Sequence, residues 1–237
     1  MTAQLDIAVF DAADIERTGA FYAALAGWEV VRADTERFGV RAPNGQEIEF
    51  QHAPDHVPPR WPGQELPQQF HLDIQVADTA ASAVRAVELG ARHLADGPSW
   101  VTLADPAGHP FDLCRSEDAG AVAPLFAVTV DSPDASRLAR FYADLTDMAL
   151  TYDGPEGALL SADGRNLMFQ QISDYTAPRW PDPAHPQQAH LDLLVHDLDA
   201  GEASALALGA TRLPGGGERY RVFADLDGHP FCLVSPA

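Results

Sequence analysis

The stretch Pro67-Gln68-Gln69-Phe70-His71-Leu72-Asp73 returns as Pro186-Gln187-Gln188-Ala189-His190-Leu191-Asp192, 119 residues later. An internal repeat of this size settles the architecture before any single element does. Working outward, Pro59-Arg60-Trp61-Pro62 comes back as Pro178-Arg179-Trp180-Pro181 at the same offset. Phe21-Tyr22 matches Phe141-Tyr142, and Gly108-His109-Pro110-Phe111 matches Gly228-His229-Pro230-Phe231, both at an offset of 120. The chain of 237 residues is therefore one unit written twice, with a single insertion or deletion between the copies. The small, polar stretch around Gly120 reads as the linker.

Each copy divides again. Alternating apolar residues from Leu5 to Phe10 lead to Asp14 and a helix-like run through Phe21, Tyr22 and Leu25 that ends near Gly27. The pattern recurs when Leu72, Ile74 and Val76 alternate, Asp78 and Thr79 offer a cap, and Val84, Val87 and Leu89 keep helical spacing up to Gly90. Three strand-like runs follow each helix: 28–32, 37–41 and 47–51 in the first half, 92–94, 100–103 and 111–114 in the second. The unit is βαβββ, written four times. The expected boundaries are a first domain at 1–116 (modules 1–52 and 70–116), a linker at 117–124, and a second domain at 125–237 (modules 125–172 and 189–237).

Several motifs recur in both copies: an aspartate seven residues before Phe-Tyr in the first helix (Asp14, Asp134), Leu-Gly-Ala after the second helix (89–91, 208–210), and Asp-x-x-Gly-His-Pro-Phe before the last strand. A chain of such module pairs resembles the vicinal-oxygen-chelate superfamily of glyoxalase, bleomycin-resistance and dioxygenase-like proteins, and within it the tandem two-domain glyoxalase-like proteins. The resemblance implies an α+β fold in which four βαβββ modules form two cup-shaped mixed sheets with helices on the convex side. It leaves the reaction open, because the superfamily holds lyases, isomerases, dioxygenases and plain antibiotic binders, and fold does not fix function.

Strand parity then sorts the side chains. His71, Asp73 and Gln75 point into the cup while Leu72, Ile74 and Val76 pack outward; Glu47, Glu49 and Gln51 point in, as does Asp112. Metal-dependent relatives place a ligand on the first and last strand of each module, which implies Ile7, His71, Ala127 and His190 as first-strand positions and Glu49, Asp112, Met168 and Cys232 as last-strand positions. Since the resemblance implies that the two modules of a copy share one cup, the first copy offers His71, Glu49 and Asp112 to a divalent ion such as Fe, Mn, Zn or Ni, with His71 and Glu49 as acid/base candidates. The second copy keeps His190 beside Asp192 but has Met168 and Ala127 where ligands are expected. Three readings stand: a metal-free or weakly metal-dependent binder of a small organic molecule, serving resistance or metabolism; a metal-dependent lyase, isomerase or dioxygenase acting only in the first copy; and a scaffold in which one or both copies serve assembly. Arg60 and Trp61, with Arg179 and Trp180, lie in Pro-rich connections that either close over the cup or pin a stiff linker.

Composition narrows the partners. A formal charge of −20, with 35 acidic and 15 basic side chains, all the latter arginine, disfavours nucleic acid. No apolar run of membrane-spanning length occurs. Two cysteines at matching strand ends, Cys114 and Cys232, read as inert thiols rather than a disulfide, which fits a cytoplasmic monomer or homodimer.

Overall fold

A computed structural model describes residues 3–182 and 184–236. The four expected modules are present. The first holds β1 (Gln4–Ala12), α1 (Ile15–Ala26), β2 (Glu29–Ala33), β3 (Arg37–Arg41) and β4 (Glu47–His52); the second holds β5 (Phe70–Val76), α2 (Thr79–Glu88), β6 (Arg92–Asp96), β7 (Trp100–Ala104) and β8 (Pro110–Arg115). The third comprises β9 (Leu125–Ser132), α3 (Ala135–Thr146), β10 (Ala149–Gly154), β11 (Gly157–Ala162) and β12 (Arg165–Gln171). The fourth comprises β13 (Ala189–Leu194), α4 (Leu198–Ala207), β14 (Thr211–Arg212), β15 (Tyr220–Ala224) and β16 (Pro230–Val234).

Helix starts follow local chemistry. Asp14, Asp78, Asp134 and Asp197 each cap a helix by accepting a backbone N–H with a side-chain oxygen, at 3.0, 3.0, 3.1 and 3.0 Å for the residue three positions on. α1 ends where Gly27 turns left-handed, φ 74°.

The repeated motifs meet in three dimensions. Tyr22, fully buried on α1, donates its hydroxyl to Asp105 Oδ2 at 3.1 Å, and Tyr142 does the same to Asp225 at 3.0 Å. Asp105 in turn accepts the backbone N–H groups of Ala107 and His109, shaping the turn into β8. Phe21 and Tyr22 from the first module lie against Phe111 of the second, with ring centroids 5.6 and 5.7 Å apart, while Tyr22 also stacks on Phe50 at 5.3 Å. Full burial of a ring such as Phe50 or Phe111 contributes about 1.5–3 kcal/mol. The two modules of a copy thus share a core.

They do not share a sheet. One eight-stranded sheet runs β14-β15-β16-β13-β1-β4-β3-β2 and the other β10-β11-β12-β9-β5-β8-β7-β6. The first module therefore pairs with the fourth through antiparallel β1 and β13, and the second with the third through β5 and β9. This corrects the expectation that each cup is made by the modules of one copy. The strand faces follow the expected parity, since Leu72, Ile74 and Val76 are buried in the core. The helices lie on the core side: α1 against β3 and β4, α2 against β7 and β8, α3 against β11 and β12, and α4 against β16.

Candidate ligand cups

Cross-copy pairing redistributes the expected site. Glu49 lies on β4 beside β1, in the sheet that carries His190, Asp192 and Cys232. His71, Asp73 and Asp112 lie together in the other sheet. The His71/Glu49/Asp112 set consequently does not form, and Glu49 is no partner for His71. The same redistribution explains why both copies keep their histidine: each cup takes one, from the second or the fourth module.

The β1/β13 cup encloses a cavity of about 810 Å³. Its polar lining includes Asp11, Arg37, Gln51, Gln187, His190 and Asp192; Trp180, Tyr220 and Val222 supply apolar wall. Gly215 and Gly216 also line it, at φ 98° and 116°, a path that side chains resist. Glu49 sits beneath, 5% exposed, between two guanidinium groups: Arg37 Nη1 at 3.1 Å and Arg32 Nη1 at 3.4 Å. Gly39, paired with Glu49 across β3 and β4, leaves the room for this clamp, since a Cβ there would stand 3.2 Å from Arg32 Cβ. Glu49→Ala strands the partly buried Arg37 charge, and the expected cost is about 1–3 kcal/mol, read from the urea midpoint. A loss below a few tenths would show the clamp to be idle.

The β5/β9 cup is fuller. Beside it lies a smaller cavity of about 300 Å³ lined by Trp61, Gln68, Asp131 and Gln170. Thr129 donates its hydroxyl to Asp73 Oδ2, and Cys114 Sγ lies 3.6 Å from Asp73 Oδ1. In the larger cup the place of Thr129, opposite the histidine, is held by Val9. Asp192 thus lacks the hydroxyl that occupies Asp73. Burial raises the pKa of Asp112, and its Oδ1 is buried without a partner. Burial lowers the pKa of His71, but Asp73, Asp112 and Asp131 together raise it.

One arrangement repeats in both cups and was not foreseen. Gln187 Nε2 lies 2.9 Å from His190 Nδ1 and 3.3 Å from each Asp11 oxygen. Gln68 Nε2 lies 3.0 Å from His71 Nδ1 and 3.3 and 3.2 Å from the Asp131 oxygens. Beyond the rings, His190 Nε2 is 3.4 Å from Asp192 Oδ1, and His71 Nε2 is 3.7 Å from Asp73 and 4.0 Å from Asp112. The signal was present in the sequence, because the glutamines stand three residues before the histidines in the repeated stretch and Asp11 and Asp131 occupy matching places.

The remaining expected site residues scatter. Glu47 is held by Arg41 at 2.5 Å and Arg60 by Glu65 at 3.3 Å, the latter pair largely exposed. Gln75 sits half-buried beside Cys114, and Met168 on β12 pairs with Thr129 on β9. Trp61 and Trp180 each wall a cavity. Burial pushes both thiols far up, and His109 donates its Nε2–H to the Asp11 carbonyl, 2.7 Å away, as a seam residue rather than a ligand.

Among the described residues two donor sets converge: His71, Asp73 and Asp112, and His190, Asp192 and Cys232, each with ligand atoms within 4.8 Å of one another. Their donor types suit a divalent ion. The far ring nitrogens do not fit one, because a metal-bound imidazole gives its remaining N–H to an acceptor, and here Nδ1 faces an amide NH2.

A fold of paired βαβββ modules with polar groups on the concave faces of two mixed sheets defines a tandem vicinal-oxygen-chelate protein. The glyoxalase-like domain family matches residues 7–114 and again 127–234, so the chain belongs to that family. No curated protein matches it significantly. Among solved structures it is similar to glyoxalase I from Zea mays, with 19% identity and a TM-score of 0.65 over 99% of this chain and 92% of that one. It is also similar to a dioxygenase-like protein from Bacillus subtilis, with 10% identity and a TM-score of 0.63 over 99% and 85% of the two chains. Identities this low carry the fold alone. No helix among the described residues is long and apolar enough to cross a membrane.

Proposed function

We propose that this protein binds a small organic molecule in the β1/β13 cup, as a cytoplasmic binder serving resistance or small-molecule metabolism. The observation that carries the reading is the cavity of about 810 Å³, a size suited to a drug-sized ligand, in which a few polar groups converge between apolar walls. Asp192, free of the hydroxyl that ties Asp73, offers an acceptor at its floor, and Arg37 offers donors beside it. The lyase, isomerase or dioxygenase reading required His71, Glu49 and Asp112 in one site, and Glu49 lies in the other cup. The small β5/β9 cavity is then secondary.

A thermal-shift screen of small polar and aromatic molecules tests this. A ligand at about 100 times its Kd is expected to add about 2.7 kcal/mol of stability. Gln51→Trp, which places an indole in the cup and leaves Asp11, Gln187 and His190 unsubstituted, is expected to abolish the shift. Equal stabilisation of that variant, or no shift with any compound, overturns the reading.

A further inference from the structure

We propose that Gln187 and Gln68 are positioning residues that hold His190 and His71 with a single ring proton on Nε2, so that neither histidine serves as a metal ligand. In each cup one amide group touches both oxygens of a carboxylate and one imidazole nitrogen. Amide nitrogen and oxygen are assigned from their neighbours rather than seen directly, and here the neighbours decide. Exchanging them would press an amide oxygen against two carboxylate oxygens at 3.2–3.3 Å. The group facing the ring is therefore the NH2, which has one hydrogen for the carboxylate and one for Nδ1. Nδ1 accepts, and the proton of the neutral ring lies on Nε2.

A metal on Nε2 would require that proton to move to Nδ1, where it would meet the amide hydrogen. Both the histidine–glutamine bond and the environment that normally supports a metal-bound ring would be lost, in a buried setting where an unmet donor costs about 1–3 kcal/mol. The two relays are equivalent positions of the repeat. Asp11 of the first copy serves the histidine of the second, and Asp131 of the second serves the histidine of the first. Each is complete only when the copies have paired.

Donation runs outward from Gln187: its amide donates to the Asp11 carboxylate on one side and to His190 Nδ1 on the other, and the Nε2 proton of His190 faces Asp192 at 3.4 Å. The group presented to the cavity is the Asp192 carboxylate, with the His190 ring behind it. Resting on the binding function proposed above, this means the ligand brings a hydroxyl or an amine to Asp192.

The test needs no ligand, so its failure is separate from failure of the binding function. Long-range proton–nitrogen correlation spectra of the full chain at about pH 8, well above the usual imidazole range, report the tautomer directly, with His190 assigned through His190→Ala. The expected pattern is a protonated Nε2 and an unprotonated Nδ1. In parallel, cobalt(II) is titrated into wild type, Gln187→Glu and Gln187→Leu. The introduced carboxylate shares a proton with Asp11 and accepts from Nδ1, freeing Nε2, so Gln187→Glu gains about 10–100-fold in cobalt affinity, with a thiolate-to-cobalt absorption from Cys232. Gln187→Leu, which supplies no acceptor, shows no such gain. A protonated Nδ1 in wild type overturns the proposal, as does one equivalent of cobalt bound by wild type and lost in His190→Ala. Unchanged affinity in Gln187→Glu overturns it as well.

Discussion

Expressed alone, residues 1–116 are expected to form a homodimer rather than a folded monomer. The fragment keeps the shared core of Phe21, Tyr22, Phe50 and Phe111, but loses the partners of β1 and β5, the two strands at the middle of the sheets. Val9, Phe10, Leu72 and Ile74 on those strands are at most 2% exposed in the whole chain. A long apolar edge with unpaired N–H and C=O groups recruits another strand. The nearest substitute is the equivalent edge of a second fragment, because β5 and β13 share the sequence His-Leu-Asp at matching places. Light scattering should give twice the fragment mass, and the unfolding temperature should rise with concentration. A monomer that unfolds cooperatively at the temperature of the full chain, independent of concentration, would show each copy to be a self-sufficient domain.

Asp131→Asn is expected to stabilise the protein near neutral pH. Asp131 is 5% exposed, and burial raises its pKa to about 6, against the opposing pull of His71, the Gln68 hydrogen bond and His229. A carboxyl raised on folding binds its proton more tightly in the native state than in the unfolded chain, where its pKa is about 3.9. Its contribution to stability therefore falls as pH rises from about 4 to about 6, and the full cost, roughly 3 kcal/mol, is present above that window. Asparagine keeps an acceptor for Gln68 and removes the buried charge. Urea midpoints should show a gain of roughly 1–3 kcal/mol at about pH 8 that disappears near pH 4. His56 and His109, whose pKa values burial lowers to about 4, act oppositely: the unfolded chain takes up their protons first, and stability drops between about pH 6.5 and pH 4. They are common to both proteins and cancel in the difference. An advantage that persists unchanged at pH 4 would contradict this origin.

Much of the architecture was legible before any coordinates. The helix starts at Asp14 and Asp78, the C-terminal turn at Gly27 and the strand runs such as Arg37–Arg41 are set by capping, left-handed turns and alternation, which act within a few residues. The motif pairs Phe-Tyr and Asp-x-x-Gly-His carried the resemblance to the family, and the structure brings them together, the buried tyrosine hydroxyls donating to Asp105 and Asp225. The facing of His71, Asp73 and Asp112 into one cluster followed from strand parity.

The composition of each cup was not legible. Assigning Glu49 to His71 assumed that neighbours in sequence are neighbours in a sheet, and the relay residues Asp11 and Asp131 escaped notice because each serves the opposite copy. The sequence alone determined four βαβββ modules in two copies, their cores and the face each strand turns to the cup. Only the tertiary structure decided that β1 pairs with β13 and β5 with β9. The competing edges are nearly the same chemically, so local pattern cannot rank them; the choice belongs to core packing between the modules of a copy, which commits their faces to one another and leaves their sheet edges for the other copy.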